Sequence, residues 1–355
     1  MERNNTRQIR VGGVKVGGGA PVSIQSMAKV RTSRVSAVVS QIRKLEECGC
    51  EIIRVAVKDL EDARAVKEIK RKIRIPLVCD IHFDHRLALE SIKSGADKIR
   101  LNPGNIRKRE DITRVIKAAK LARIPIRIGI NSGSIDARLT SEMAEHNLDV
   151  SSALVGSALA YIKIFEELDF RDIIISLKAS DVATTVEAYR KMSKLCDYPL
   201  HLGVTAAGSC DQGVVKSSIG IGALLLDGIG DTIRVSLTAD PAEEVLAAKR
   251  ILSALGLRRF GPEVISCPTC GRCQVDLSGI VKGLERKLST MHYPLYTNRS
   301  FKVAIMGCEV NGPGEAKDAD IGIAFGKGSG MLFKKGKILK KVNVNNAIKE
   351  LLKQL

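Results

Sequence analysis

From residue 22 the chain alternates short β-branched runs with longer stretches in which apolar residues recur every three or four positions. The strand-like runs are 22–27, 51–57, 76–82, 98–102, 124–131, 172–180, 199–205 and 231–237. Helical periodicity covers 35–47, 59–72, 84–94, 109–122, 151–167, 181–195 and 240–255. Asp181, Asp240 and Ser151 stand where N-caps are expected, and Pro241 suits a first helical turn. Eight such units in roughly 250 residues are what a (β/α)8 TIM barrel requires. A doubly wound open sheet is the alternative, but even spacing without a strong dinucleotide fingerprint favours closure. The Gly-rich stretch VGGVKVGGGAP (11–21) lacks the GK[ST] ending of a phosphate loop, and a turn at the closed end of the barrel suits it better.

Polar residues interrupt the strand-like runs with a period of two, so the members of a pair share a face. Arg100 and Asn102 form such a pair, as do Asp80 and His82, Lys178 and Ser180, and Arg234 and Ser236. Arg127 and Asn131 share a face as well, and Arg54 lies among aliphatic residues in mid-strand. A lone strand arginine often snorkels or pairs with a carboxylate. Six strands with the same feature toward their C-terminal ends, where barrel active sites form, point instead to a cationic pocket suited to a diphosphate.

The alternation stops near residue 258. Beyond it come a cysteine cluster, a helical pattern over 277–290, a strand running into MGCEVNGPGE, the strand DIGIAFG (320–326), a hairpin in MLFKKGKILKKV and a final amphipathic helix, NNAIKELLKQL. The pattern therefore predicts an α/β barrel domain, 1–258, followed by a smaller α+β domain, 259–355.

Composition narrows the function. The 355-residue chain has no apolar run long enough to span a bilayer, and its polar N-terminus, MERNNTRQIR, carries no secretory signal, so a soluble, cytoplasmic protein is expected. The formal charge of +18 suits an anionic substrate or an acidic protein partner. Nucleic acid is disfavoured, because aromatic residues make up only 3% and there is no Trp on which bases could stack. Nine cysteines do not make a disulfide framework. Cys48, Cys50, Cys79, Cys196 and Cys210 read as small buried side chains.

The remaining four carry chemistry. SCPTCGRC (266–273) holds Cys267, Cys270 and Cys273, and Cys308 opens CEVNGPGE (308–315). Spacing leaves the metal open, since zinc could be held by Cys267, Cys270, Cys273 and Cys308, and iron–sulfur clusters also accept C-x-x-C-x-x-C. A zinc-ribbon nucleic-acid-binding protein is the corresponding alternative, although no second C-x-x-C is present and His292 stands alone.

Taken together, GGGAPVSIQSM, EIIRVAV, DIHFDHRLAL, KIRLNPGNI, RIGINSGS, SLKASD, HLGVT, GIGDTIRVSLTADP, SCPTCGR and MGCEVNGPGEA, in that order, closely resemble the 4-hydroxy-3-methylbut-2-en-1-yl diphosphate synthases. These are the iron–sulfur enzymes of the methylerythritol phosphate route to isoprenoids. The resemblance implies one 4Fe-4S cluster per chain held by Cys267, Cys270, Cys308 and Glu315, leaving Cys273 surplus. A carboxylate on the fourth iron is more readily displaced by a substrate oxygen than a thiolate would be. It further implies reductive ring opening and dehydroxylation of 2-C-methyl-D-erythritol 2,4-cyclodiphosphate, with Arg54, Arg100, Arg127, Asn131, Lys178 and Ser236 gripping the diphosphate. Ferredoxin or flavodoxin, both acidic, would supply the electrons. The family form is a homodimer in which one subunit's cluster domain caps the other's barrel. One position departs from the pattern. After HLGVT the family carries Glu-Ala-Gly, whereas this chain has Ala206 in place of the Glu. Binding without efficient turnover is the expected consequence unless Asp80, His82 or Glu309 replaces the lost proton-transfer group.

Overall fold

The structure is a computed structural model that describes residues 2–102, 105–106, 108–134, 149–289, 301–308, 316 and 319–354. Glu309, Glu315 and His292 lie outside the described residues. The chain divides into two compact units, Met1–Arg258 and Arg259–Leu355.

In the first unit a hairpin, β1 (Ile9–Val11) and β2 (Val14–Val16), precedes eight parallel strands. These are β3 (Ser23–Met27), β4 (Ile52–Val57), β5 (Leu77–Ile81), β6 (Lys98–Leu101), β7 (Ile126–Asn131), β8 (Ile173–Lys178), β9 (His201–Leu202) and β10 (Thr232–Ile233). Each strand neighbours its successor, β10 returns to β3, and the ring is completed by one bridge, Ile175–Leu200. The helices between them are α1 (Val35–Glu47), α2 (Leu60–Lys70), α3 (His85–Lys93), α4 (Arg109–Ala122), α5 (Val150–Glu167), α6 (Val182–Met192), α7 (Cys210–Leu226) and α8 (Pro241–Ala254). α1 shows why they form: Val38, Val39, Ile42 and Leu45 make one buried stripe.

Aspartates start several of these helices by accepting a first-turn N–H, including Asp59, Asp84, Asp181 and Asp240. At α5 the cap is Asp149 rather than the expected Ser151. The Asp149 carboxylate takes the Ser152 N–H at 2.7 Å, and the Ser151 hydroxyl donates to it.

Strand parity sorts the barrel wall. Ile52, Val78 and Ile174 point inward at the N-terminal end and pack against Ile9, Val11 and Val16, so the Gly-rich hairpin does plug that end. The last two strands are much shorter than 199–205 and 231–237, for physical reasons. The Tyr189 hydroxyl, from α6, inserts between β8 and β9, accepting the Leu177 N–H at 3.1 Å and donating to the His201 carbonyl. Beyond β10 the Glu244 carboxylate takes the Leu237 N–H at 3.1 Å, so that backbone donor is satisfied outside the sheet.

The second unit is a mixed sheet in the order β11 (Glu263–Ser266), β12 (Lys302–Met306), β13 (Ile321–Gly326), β14 (Ser329–Lys334), β15 (Lys337–Asn343). β11, a strand the sequence pattern did not predict, runs parallel to β12. Helices α9 (Leu277–Ser289) and α10 (Ala347–Leu352) cover one face through Leu284, Ile305, Ile323, Phe325 and Leu351. The other face carries a smaller cluster that includes Ala304, Met306, Ala324 and Phe333.

Candidate active site

Above the hairpin plug the inward positions of the barrel are polar and mostly cationic. Asp80, Arg100 and Arg127 stand side by side in register on β5, β6 and β7, and Asn131 pairs with Lys178 across β7 and β8. Arg54 projects from β4, with Arg234 and Ser236 following β10. The structure thus brings the arginines and lysine singled out in the sequence into one barrel interior. Arg54 is 8% exposed, Arg100 3%, Arg127 1% and Lys178 7%, values at which an ionised side chain ordinarily needs a partner. Ser236 and Asn131 are half-buried, whereas Ser180 is exposed.

Asp80 is the anionic hub of this interior. Arg100 donates from Nη1 to its Oδ1 at 3.0 Å, and Arg54 Nη1 and His82 Nε2 lie 3.6 and 3.4 Å from Oδ2. Burial alone would raise the Asp80 pKa, but Arg54, Arg100 and His82 together hold it well below the usual carboxylate range. Asp80 is therefore an ionised counter-ion. His82, with its side chain 46% exposed, is the imidazole at the mouth.

Two basic residues missed in the sequence lie in the same interior. Lys98, two positions before Arg100 on the same face, is fully buried with Nζ 3.4 Å from the Gln25 side-chain oxygen. His201, also fully buried, has no hydrogen-bond partner for either ring nitrogen among the described residues, as is true of Arg127 Nε and Nη1. Burial, reinforced by neighbouring cations, depresses the pKa of Lys98, Lys178, Arg127 and His201 well below their ordinary values, and brings Arg54 down to about 9. Glu244, from α8, is a second buried carboxylate, 3.2 Å from Lys29 Nζ and 3.8 Å from Arg234 Nη2. The period-two pattern held the signal for Lys98; a helical Glu such as Glu244 gave none.

Gly129 on β7 and Gly203 just after β9 make room for these side chains. A Cβ on Gly129 would stand 2.5 Å from Arg100 Nε, and one on Gly203 would stand 2.5 Å from Lys178 Nζ and from the Arg234 carbonyl oxygen. Beyond β9, Ala206 occupies an exposed left-handed turn, φ +50°.

In the second unit Cys267 follows β11 and Cys308 follows β12, two parallel neighbours paired Ser266 to Ile305. Both residues therefore leave the sheet side by side. The Gly307 N–H donates to Cys267 Sγ at 3.3 Å. Thr269 takes a left-handed conformation, φ +61°, in the turn between Cys267 and Cys270, and Cys270 is exposed. Cys273 behaves differently. Its thiol donates to the Val275 carbonyl at 3.3 Å and packs on the helical-face core. Cys267 and Cys308 thus leave neighbouring strand ends half-buried and Cys270 is exposed, but among the described residues no three His, Cys, Asp or Glu side chains are grouped closely enough to hold a metal ion.

The fold and its interior charge define a TIM-barrel protein suited to an anionic ligand, followed by a thiol-bearing α+β domain. Residues 6–249 match the GcpE TIM-barrel domain and residues 263–355 match the GcpE protein C-terminal domain. The chain belongs to the GcpE family, whose members carry an iron–sulfur cluster. It is 54% identical over 355 residues to the 4-hydroxy-3-methylbut-2-en-1-yl diphosphate synthase (flavodoxin) of Fusobacterium nucleatum, covering 100% of this chain and 98% of that one. The enzyme of the same name from Clostridium perfringens is 54% identical over 353 residues, 99% of each chain. Among solved structures, dihydropteroate synthase from Stenotrophomonas maltophilia shares the barrel fold alone, with a TM-score of 0.51 at 16% identity over 71% of this chain and 98% of that one. Among the described residues, no helix is long and apolar enough to cross a membrane.

Proposed function

We propose that the barrel interior binds 2-C-methyl-D-erythritol 2,4-cyclodiphosphate and that the protein, an iron–sulfur oxidoreductase, reduces it to 4-hydroxy-3-methylbut-2-enyl diphosphate. In balance, two electrons and one proton open a ring carbon–oxygen bond and release a hydroxyl as water. The observation that carries this reading is the excess of buried basic side chains, Arg54, Arg100, Arg127, Lys178 and Lys98, over the buried carboxylates beside them, Asp80 and Glu244, among the described residues. A diphosphate would satisfy the unpartnered Arg127 donors and neutralise the excess. Asn131 and Ser236, at the same end, would add neutral hydrogen bonds to phosphate oxygens.

Cys267, Cys270, Cys308 and Glu315 would hold a 4Fe-4S cluster, which when bound supplies one-electron transfers at the substrate carbon. Cys273 is left to the core. Proton delivery falls to His82, because Asp80 is held ionised and Ala206 can neither donate nor accept. Flavodoxin, named for the relatives, or ferredoxin would be the electron source, and a homodimer would join one subunit's cluster domain to the other's barrel.

Anaerobic purification tests the assignment. A brown protein with about four irons per chain that converts the cyclodiphosphate under a chemical reductant is expected. A colourless protein holding a single zinc overturns it.

A further inference from the structure

The barrel accounts for only part of the positive charge. From Ile321 to Lys349 the chain contains seven lysines and no Asp or Glu. Lys327, Lys334, Lys335, Lys337, Lys340 and Lys341 are all exposed, on and around the β14–β15 hairpin. Lys340 is paired with Glu350, but the rest of the row has no carboxylate beside it in the sequence. A solvated charge run would explain lysines alone. It does not explain what lies between them.

Parity places Met331 and Phe333 of β14 on the sheet face away from α9 and α10, opposite Lys341 and Ile338 of β15. This face is hollowed into a groove of about 720 Å³. Its floor is apolar, formed by Ala324, Phe333, Met331 and Ile338, and Lys327 and Lys341 stand on its rim. Met331 is 38% exposed and Ile338 66%. An apolar floor with a single-sign charged rim is the composition of a docking surface rather than of an idle sheet face.

One side of the groove comes near Cys267. Gln274 and Ala316 both line it. Ala316 and Phe333 belong to the same packed cluster as Cys267. A protein seated here would stand against the walls of the thiol site.

We propose that this groove is the electron-entry surface, and that its occupant is an acidic flavodoxin-type protein whose carboxylates meet the lysine rim while its apolar flavin edge meets Met331 and Ile338. The proposal rests on the oxidoreductase reading above. Charge complementarity of this kind speeds encounter and sets orientation, and redox partners characteristically form small, weak, salt-sensitive complexes.

The test is titration of oxidised recombinant flavodoxin with the full-length, iron-loaded protein, followed by flavin fluorescence and repeated at rising salt. Lys327→Glu with Lys341→Glu is compared with a charge-matched control on the barrel helices, Lys44→Glu with Lys117→Glu. The groove pair should weaken binding by about tenfold or more, while the control stays within about twofold. Iron content, oligomeric state and turnover under a chemical reductant should remain as in the parent protein. Equal losses in both pairs would reduce the effect to net charge and overturn the proposal, as would unchanged affinity in the groove pair. A changed oligomeric mass would assign the groove to a second copy of the chain and overturn it too. A parent protein without iron sinks the oxidoreductase reading itself, an outcome distinct from any flavodoxin affinity.

Discussion

Arg127→Met separates the cost of the cationic interior from its use. Arg127 is 1% exposed, and its Nε and Nη1 have no partner among the described residues. Burial and the nearby guanidiniums of Arg54 and Arg100 oppose its charge more than Asp80 supports it. Without ligand, this side chain destabilises the barrel. Met has a similar length and no donors, so it removes unsatisfied polar groups worth about 1–3 kcal/mol with little repacking. The ligand-free protein should accordingly melt later by about 2–4 °C for each kcal/mol gained. Binding should move the other way. Two lost charge-assisted bonds to phosphate, each worth about 1.5–3 kcal/mol, weaken the cyclodiphosphate by roughly 10²–10⁴ in Kd. Calorimetric titration with the cyclodiphosphate measures one arm, and a thermal melt without ligand measures the other. A lower melting temperature with unchanged affinity would refute the reasoning, because Arg127 would then be an ordinary structural residue. Iron content should not change, since Arg127 lies in the first unit.

The remaining expectations follow the same geometry. Ala206→Glu should raise reductive turnover by about 10²–10⁴ if the lost carboxylate limits the parent enzyme, and an unchanged rate would leave proton transfer to His82. Cys270→Ser should abolish bound iron whereas Cys273→Ser leaves it near normal; equal behaviour in an iron assay would break the ligand assignment. Asp80→Asn, which leaves Arg54 and Arg100 uncompensated, should cost about 3–5 kcal/mol in thermal or denaturant unfolding. Because its pKa is depressed in the folded protein, the Asp80 contribution is complete above about pH 4 and is lost as pH falls toward the native value. The variant should therefore show a flatter acid limb of stability than the parent. Finally, a diphosphate would oppose the burial and neighbouring cations that lower the Lys178 and His201 pKa values, so binding should be accompanied by proton uptake. Titration in buffers of different ionisation enthalpy reads this directly, and zero uptake would contradict it.

Much of this site was legible in linear form because a strand alternates its faces with a period of two. Arg54, Arg100, Arg127 and Lys178 announce themselves as charges in runs that are otherwise aliphatic. The same rule reaches Lys98 once Arg100 is taken as inward. It does not reach Glu244 or Tyr189, whose helical positions carry no mark of the strands they touch. Nor does it show that Asp149 rather than Ser151 caps α5, since both are competent and only backbone geometry selects between them.

Periodicity alone thus determined the eight-fold alternation of the barrel and the face on which its charges lie, because burial imposes a period on each local element. Tertiary structure decided how those charges combine: which carboxylate is shared by Arg54 and Arg100, which donors of Arg127 are left over, and which of four cysteines turns into the core. Such choices depend on distances between segments scores of residues apart, and those distances exist only once the sheet has closed. Only the family resemblance marked Ala206 as the place of a missing carboxylate. Its exposed left-handed turn at the end of β9 was not visible in the sequence, because backbone conformation there is set by the loop rather than by the residue's own preference.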